Sequence, residues 1–134
     1  MQEFKKSRNT LQRRIVLETV QGMTDHPDAD KIYEKISGEH PLVSKATVYR
    51  NLKILAKQGL ILHIPMPDGA DCFDFNCLPH YHIKCRCCGG VFDVDMPYQK
   101  DICSRISRKR GFIIESHQIV FSGICPDCQQ KGRV

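Results

Sequence analysis

Two Cys-x-x-Cys clips, Cys85/Cys88 and Cys125/Cys128, are the residues of this chain whose spacing speaks most directly of chemistry. Each clip presents two sulfurs from one turn, and four thiolates close a tetrahedral structural zinc with zinc–sulfur bonds of about 2.3 Å. The thirty-six residues between the clips exceed a simple zinc ribbon, so a subdomain lies between them. The competing chemistry for such pairs is a disulfide or a thiol redox couple.

A second set of donors is harder and rich in nitrogen and oxygen. His80-Tyr81-His82 places two imidazoles on one face of an extended segment, because strand side chains alternate. The same alternation in Cys72-Phe73-Asp74-Phe75 turns Asp74 away from the two phenylalanines, and in Val91-Phe92-Asp93-Val94 it sets Asp93 opposite Phe92 and Val94. His26 stands in the loop Asp25-His26-Pro27. Three imidazoles and two carboxylates suit ferrous iron or manganese, and zinc also uses such a set. Whether they meet is decided by the fold.

The elements that must position these groups follow from pattern. Thr10 can cap a helix carrying Leu11, Ile15 and Val20 and stopped by Gly22; Asp28 can cap a second, with Ile32, Tyr33 and Ile36, ended by Gly38. Ser44 can cap a third, with Val48, Leu52 and Leu55 facing a core and Gly59 behind it. Strand-like segments 60–64 and 72–75 flank a Pro- and Gly-rich turn, which completes a winged helix-turn-helix. Beyond a hinge at 76–81 the spacing predicts strands at 81–85 and 90–95, a helix over 97–110 with Ile102 and Ile106 inward, and a long strand over 112–124. The fold class is α+β: a winged helix-turn-helix over residues 1–75, then a small α/β domain over 82–134 closed by the four-cysteine zinc. A chain of 134 residues split this way buries little surface in each part, and a structural metal reinforces it.

The net charge is +5, of which residues 1–62 carry +4, with Lys5, Lys6, Arg8, Arg13 and Arg14 clustered at the start. On the third helix Lys45, Tyr49, Lys53 and Lys57 recur every four residues, with Thr47, Arg50 and Asn51 beside them. Lysines neutralise phosphates, Arg can pair with guanine and Asn with adenine, and Tyr49 offers a flat face to a thymine methyl. Lys45, Thr47, Tyr49, Arg50, Asn51 and Lys53, supported by Arg13 and Arg14, are therefore the expected contacts to double-stranded DNA. The opening MQEFKKSRNTLQRR has no apolar stretch of a secretion signal, and no run reaches membrane-spanning length. The expected location is cytoplasmic, with cysteines reduced or metal-bound.

Taken in order, His26-Pro27-Asp28-Ala29-Asp30-x-Ile32-Tyr33, Ala46-Thr47-Val48-Tyr49-Arg50-x-Leu52, His80-x-His82, Cys85-x-x-Cys88-Gly89 and Gly123-x-Cys125-x-x-Cys128 resemble the ferric uptake regulator family from about Arg8 to Cys128. The resemblance implies a homodimeric, metal-dependent transcriptional repressor on a palindromic operator. It also implies a regulatory metal held by His26, Asp74, His80, His82 and Asp93, fixing the angle between the two domains. Aspartate at both 74 and 93 resembles the peroxide-sensing branch, in which iron-bound peroxide oxidises a ligand histidine; His26 or His80 would then be the sensor. Arg50 after Tyr49 resembles the iron-uptake branch, so control of iron or zinc uptake stays an alternative. Cys72 shares the strand parity of Asp74, and with nearby Cys77 it is an extra candidate ligand that would favour zinc. His117 has the parity of Ile113, Ile119 and Phe121, as a core histidine would, and in the family a metal-associated histidine often stands eight residues before the third zinc cysteine. Cys87 and Cys103 read as small buried thiols, and His40 and His63 as structural. A zinc hydrolase would need an open metal position and a general base, and the chain has no His-Glu-x-x-His segment.

Overall fold

The computed structural model describes residues 2–67 and 69–132, with backbone alone for 2–7, so the side chains of Lys5 and Lys6 lie outside the described residues. The chain divides into two compact units that meet between Cys77 and Leu78.

The first unit holds α1 (Gln2–Gln21), α2 (Ala29–Glu39) and α3 (Lys45–Lys57), followed by the antiparallel strands β1 (Leu62–Ile64) and β2 (Cys72–Asp74). Two caps act as their residue types require: Asp28 accepts the Lys31 amide at 2.8 Å and Ser44 the Thr47 amide at 3.2 Å. Thr10, expected at the helix start, lies inside α1. The run before it, from Gln2 to Asn9, includes the good helix formers Gln, Glu, Lys and Arg and contains no Gly or Pro, so the helix extends upstream. Gly38 lies within α2, which runs on to Glu39. The Leu60 amide bonds back to Leu55 O at 3.0 Å, closing α3 around Gly59 at φ 73°, so β1 starts only at Leu62. Asp74 likewise takes the Asn76 amide at 3.1 Å and ends β2 before Phe75. The core that holds the three helices together is Val16, Val20, Ile32, Ile36, Val48, Leu52, Leu55, Ile61 and Phe73.

The second unit is a three-stranded sheet. β3 (Tyr81–Cys85) lies centrally, antiparallel to β4 (Val91–Val94) and parallel to β5 (Val120–Gly123). The parallel pairing requires a crossover, supplied by α4 (Ile102–Arg110), and a short α5 (Pro126–Gln130) follows. The helix expected over 97–110 starts five residues late. The Gln99 amide donates to the Tyr81 hydroxyl at 2.9 Å, which anchors this segment to the sheet instead of to a helical turn. The long strand expected over 112–124 contracts to Val120–Gly123, because 112–119 has no ladder partner among the described residues. Ile102 is half-buried and Ile106 is exposed, so α4 does not seat both inward. No described helix is long and apolar enough to cross a membrane.

Leu52 is 1% exposed at the centre of the first core. Leu52→Ala should lower the unfolding free energy by about 2–5 kcal/mol in urea titrations followed by helical circular dichroism.

Candidate metal centre and nucleic-acid interface

The four clip sulfurs gather within 4.8 Å of one another, with Cys88 Sγ 3.9 Å from Cys125 Sγ. Gly89 makes the first clip turn possible at φ 75°, a conformation that a side chain would strain. The clips donate backbone amides to sulfur: Cys88 N and Cys125 N to Cys85 Sγ at 3.5 and 3.4 Å, Cys128 N to Cys125 Sγ at 3.4 Å and Gly90 N to Cys88 Sγ at 3.4 Å. The Cys125 amide, then the Cys88 amide, hold the Cys85 thiol down at about 5. Burial, then its sulfur neighbours, push Cys128 up to about 12. Such a cluster ionises fully only around a cation, and four thiolates in closed array select zinc. α5 went unforeseen because its first turn is the second clip itself, with Cys125 as its N-cap.

The harder donors assemble within each unit separately. In the first, the Phe73 amide bonds Pro27 O at 2.9 Å and Asp28 bridges Cys72, so the loop after α1 is stitched to β2. This sets His26 Nε2 3.2 Å from Asp74 Oδ2, with both side chains largely buried. His26 is held at φ 54°, an uncommon conformation for a residue with a side chain. In the second unit, the β3–β4 register sets His82 opposite Asp93. Asp93 Oδ1 lies 3.0 Å from His80 Nε2 and 3.4 Å from His82 Nε2. The Leu78 carbonyl, which only accepts, takes the proton of His80 Nδ1. His80 Nε2 is therefore the ring nitrogen turned to the carboxylate, and in the neutral ring it carries the lone pair, the arrangement a metal-ligating histidine adopts. These nitrogen and oxygen donors are of the types that a divalent cation of intermediate hardness takes.

Cys72, Cys77 and His117 join no metal-ligand group among the described residues. Cys72 is buried with its sulfur 3.9 Å from Ala70 O. Cys77 donates to Phe75 O at 3.4 Å, and local desolvation, then the Asp74 carboxylate, raise its thiol, which works against a thiolate ligand. His117 is half-buried among side chains of its own unit. The hydroxyl of Tyr81, a fully buried residue, accepts the Gln99 amide and shares a 2.6 Å hydrogen bond with His117 Nε2. His117 Nδ1 lies 3.3 Å from Tyr98 Oη and 3.5 Å from Cys103 Sγ, while the Tyr98 ring stacks on it at 4.6 Å. Both nitrogens thus have partners within the unit, as those of a packing histidine do.

On α3, Lys45, Tyr49, Arg50 and Lys53 are exposed. Thr47 shares a 2.9 Å hydrogen bond with Ser44 at the helix start. Asn51 departs from the expected DNA contacts: it is 3% exposed, donates to Thr47 O at 2.9 Å and accepts from Arg13 Nε at 3.2 Å. It anchors Arg13 on α1 and does not reach a base edge. Its spacing from Val48, Leu52 and Leu55 follows the buried stripe, which is the signal that marks it as inward. Arg14 is exposed but paired with Glu18 at 3.0 Å.

A winged helix with a basic outer helix, carried in one chain with a sulfur-closed sheet and imidazole–carboxylate groups in both units, defines a metal-responsive DNA-binding regulator. The model of the ferric uptake regulator family matches residues 5–122. The peroxide operon regulator of Bacillus subtilis is 34% identical over 124 residues, 92% of this chain and 86% of that protein. The peroxide-responsive repressor PerR of Staphylococcus saprophyticus is 33% identical over 92% of this chain and 84% of its own length. The solved peroxide stress regulator of Campylobacter jejuni superposes with a TM-score of 0.72 at 31% identity, covering 95% of this chain and 97% of that one. The chain belongs to the ferric uptake regulator family.

With the Cys85 thiol held down at about 5, zinc uptake by the metal-free protein at pH 7 should release fewer than four protons, read with a pH indicator in weak buffer. Cys128→Ser should abolish stoichiometric zinc, whereas Cys103→Ser should retain it, as measured by elemental analysis.

Proposed function

We propose that this protein is a metal-dependent transcriptional repressor whose five nitrogen and oxygen donors form one regulatory site shared by its two units, and which releases DNA when peroxide damages that site. It binds DNA as a dimer and is not an enzyme. The observation that carries the reading is the donor chemistry: His26 with Asp74 in the DNA-binding unit, and the lone pair of His80 with His82 and Asp93 in the other, are each too few for a divalent cation. A shared cation satisfies both groups and fixes the relative angle of the units. Two recognition helices then meet successive half-sites of a palindromic operator. Exposed Ile106, Phe112, Ile113 and Phe121 supply apolar surface for the dimer contact, and residues 76–81 supply the hinge. We place the protein in the cytoplasm, where its thiols stay reduced.

The regulatory metal is ferrous iron or manganese, with zinc able to enter the same donors; zinc in the four-cysteine site is structural. Iron adds one-electron reduction of peroxide at the site. His80 is aimed by Leu78 and His26 by its strained loop, so an imidazole oxidised there no longer presents a lone pair, and the tie between the units is lost. The relatives named as peroxide regulators support this over control of metal uptake, and the closed thiolate cluster works against a thiol redox protein.

Removing the regulatory metal while zinc stays bound should weaken operator binding about 5–150-fold, the range of ordinary allosteric coupling, in fluorescence anisotropy titrations. Asp93→Asn should reproduce the loss with zinc content unchanged. Iron-loaded protein treated with peroxide should gain one oxygen on His26 or His80 by peptide mass spectrometry. Unmodified histidines with intact, iron-dependent operator binding would point instead to metal-uptake control.

A further inference from the structure

Asp30, the second residue of α2, reaches across to the exposed face of α3. Its Oδ1 accepts the Tyr49 hydroxyl proton and also lies 3.0 Å from Lys45 Nζ. Lys45 Nζ in turn lies 5.7 Å from the centre of the Tyr49 ring. One carboxylate thus fixes the hydroxyl end of the tyrosine and holds a cation near its ring. The helix pair behind this triangle is rigid, because Ile32 and Ile36 of α2 share one core with Val48, Leu52 and Leu55 of α3.

We propose that Asp30 is a specificity-determining positioning residue, which orients the Tyr49 ring for a base edge before DNA arrives. The inference rests on the reading of α3 as the recognition helix. A triad this exposed adds little to folding stability, since surface ion pairs are screened and weak. Its effect falls on recognition, where a side chain ordered in advance avoids the loss of rotamer freedom on binding. The titration behaviour agrees. Hydrogen bonding to Tyr49, then to Lys45, lowers the Asp30 carboxyl, and hydrogen bonding to Asp30 is the leading cause of the upward shifts of Lys45 and Tyr49. Asp30 also places a negative charge beside α3, which disfavours indiscriminate contact with phosphates. Both consequences raise operator binding relative to random DNA.

The test uses the metal-loaded dimer and an operator selected from random duplexes by the wild-type protein. Asp30→Ala should weaken operator binding about 2–10-fold, the cost of immobilising one side chain, without weakening binding to random DNA. Asp30→Asn keeps an acceptor for the Tyr49 hydroxyl and should fall closer to wild type. Replacing operator thymines by uracil should penalise wild type more than Asp30→Ala, and Asp30→Ala should add nothing in a Tyr49→Phe background. Unchanged operator affinity in Asp30→Ala, or an equal change on operator and random DNA, would overturn the inference. Tyr49→Ala separates the two levels: if it leaves operator affinity intact the recognition-helix reading fails, and if it weakens binding while Asp30→Ala does not, only the role of Asp30 fails.

Discussion

The meeting of imidazole nitrogens with a carboxylate is the constraint on which the second unit turns. With Nδ1 committed to Leu78 O, His80 turns Nε2 to Asp93 Oδ1 at 3.0 Å, a contact that is favourable only with a cation or a proton between the two atoms. The backbone enforces this meeting. β3 and β4 are registered by their ladder, so His82 cannot move away from Asp93 without shifting every pair from Tyr81–Val94 to Lys84–Val91. The sheet therefore keeps two imidazoles and a carboxylate together at a point where a shared cation or proton is favourable. The sulfur cluster follows the same physics with softer atoms, held by amide donors from both clips.

What separates the two clusters is the chemistry of their donors. Cys85, Cys125 and Cys128 are buried and Cys88 is exposed, while His80 and His82 are largely buried and the Asp93 side chain is 54% exposed. Exposure is therefore mixed in both. Four soft thiolates suit a closed structural zinc, whereas imidazole and carboxylate suit a harder and more exchangeable ion.

Much of this was legible in local spacing. The clips announce themselves because a thiolate pair needs only two intervening residues, and His80 with His82 because strand parity is fixed. Caps at Asp28 and Ser44 were equally readable. The losses come where the deciding partner is distant in sequence. Residues 112–119 carry strand-forming side chains, but a strand exists only where another pairs with it. The late start of α4 depends on a hydroxyl eighteen positions away, on Tyr81, and the enclosure of His117 depends on Tyr81, Tyr98 and Cys103 together. Asp30 met Tyr49 with no periodic signature at all. Asn51 was a different failure: its spacing marked it as inward, and its polarity outweighed that signal in the reading.

The charge distribution restricts how a metal can control DNA binding. The first 62 residues carry +4 of the chain's +5, and this attraction to phosphates is present whether or not the regulatory site is filled. A switch in the His/Asp donors cannot remove it, since none of those donors belongs to α3. On the proposed reading, control therefore acts on operator binding, while the general attraction to phosphates persists. An oxidised imidazole and a missing ion then have the same effect, because each removes a donor–metal bond and neither alters the basic face of α3.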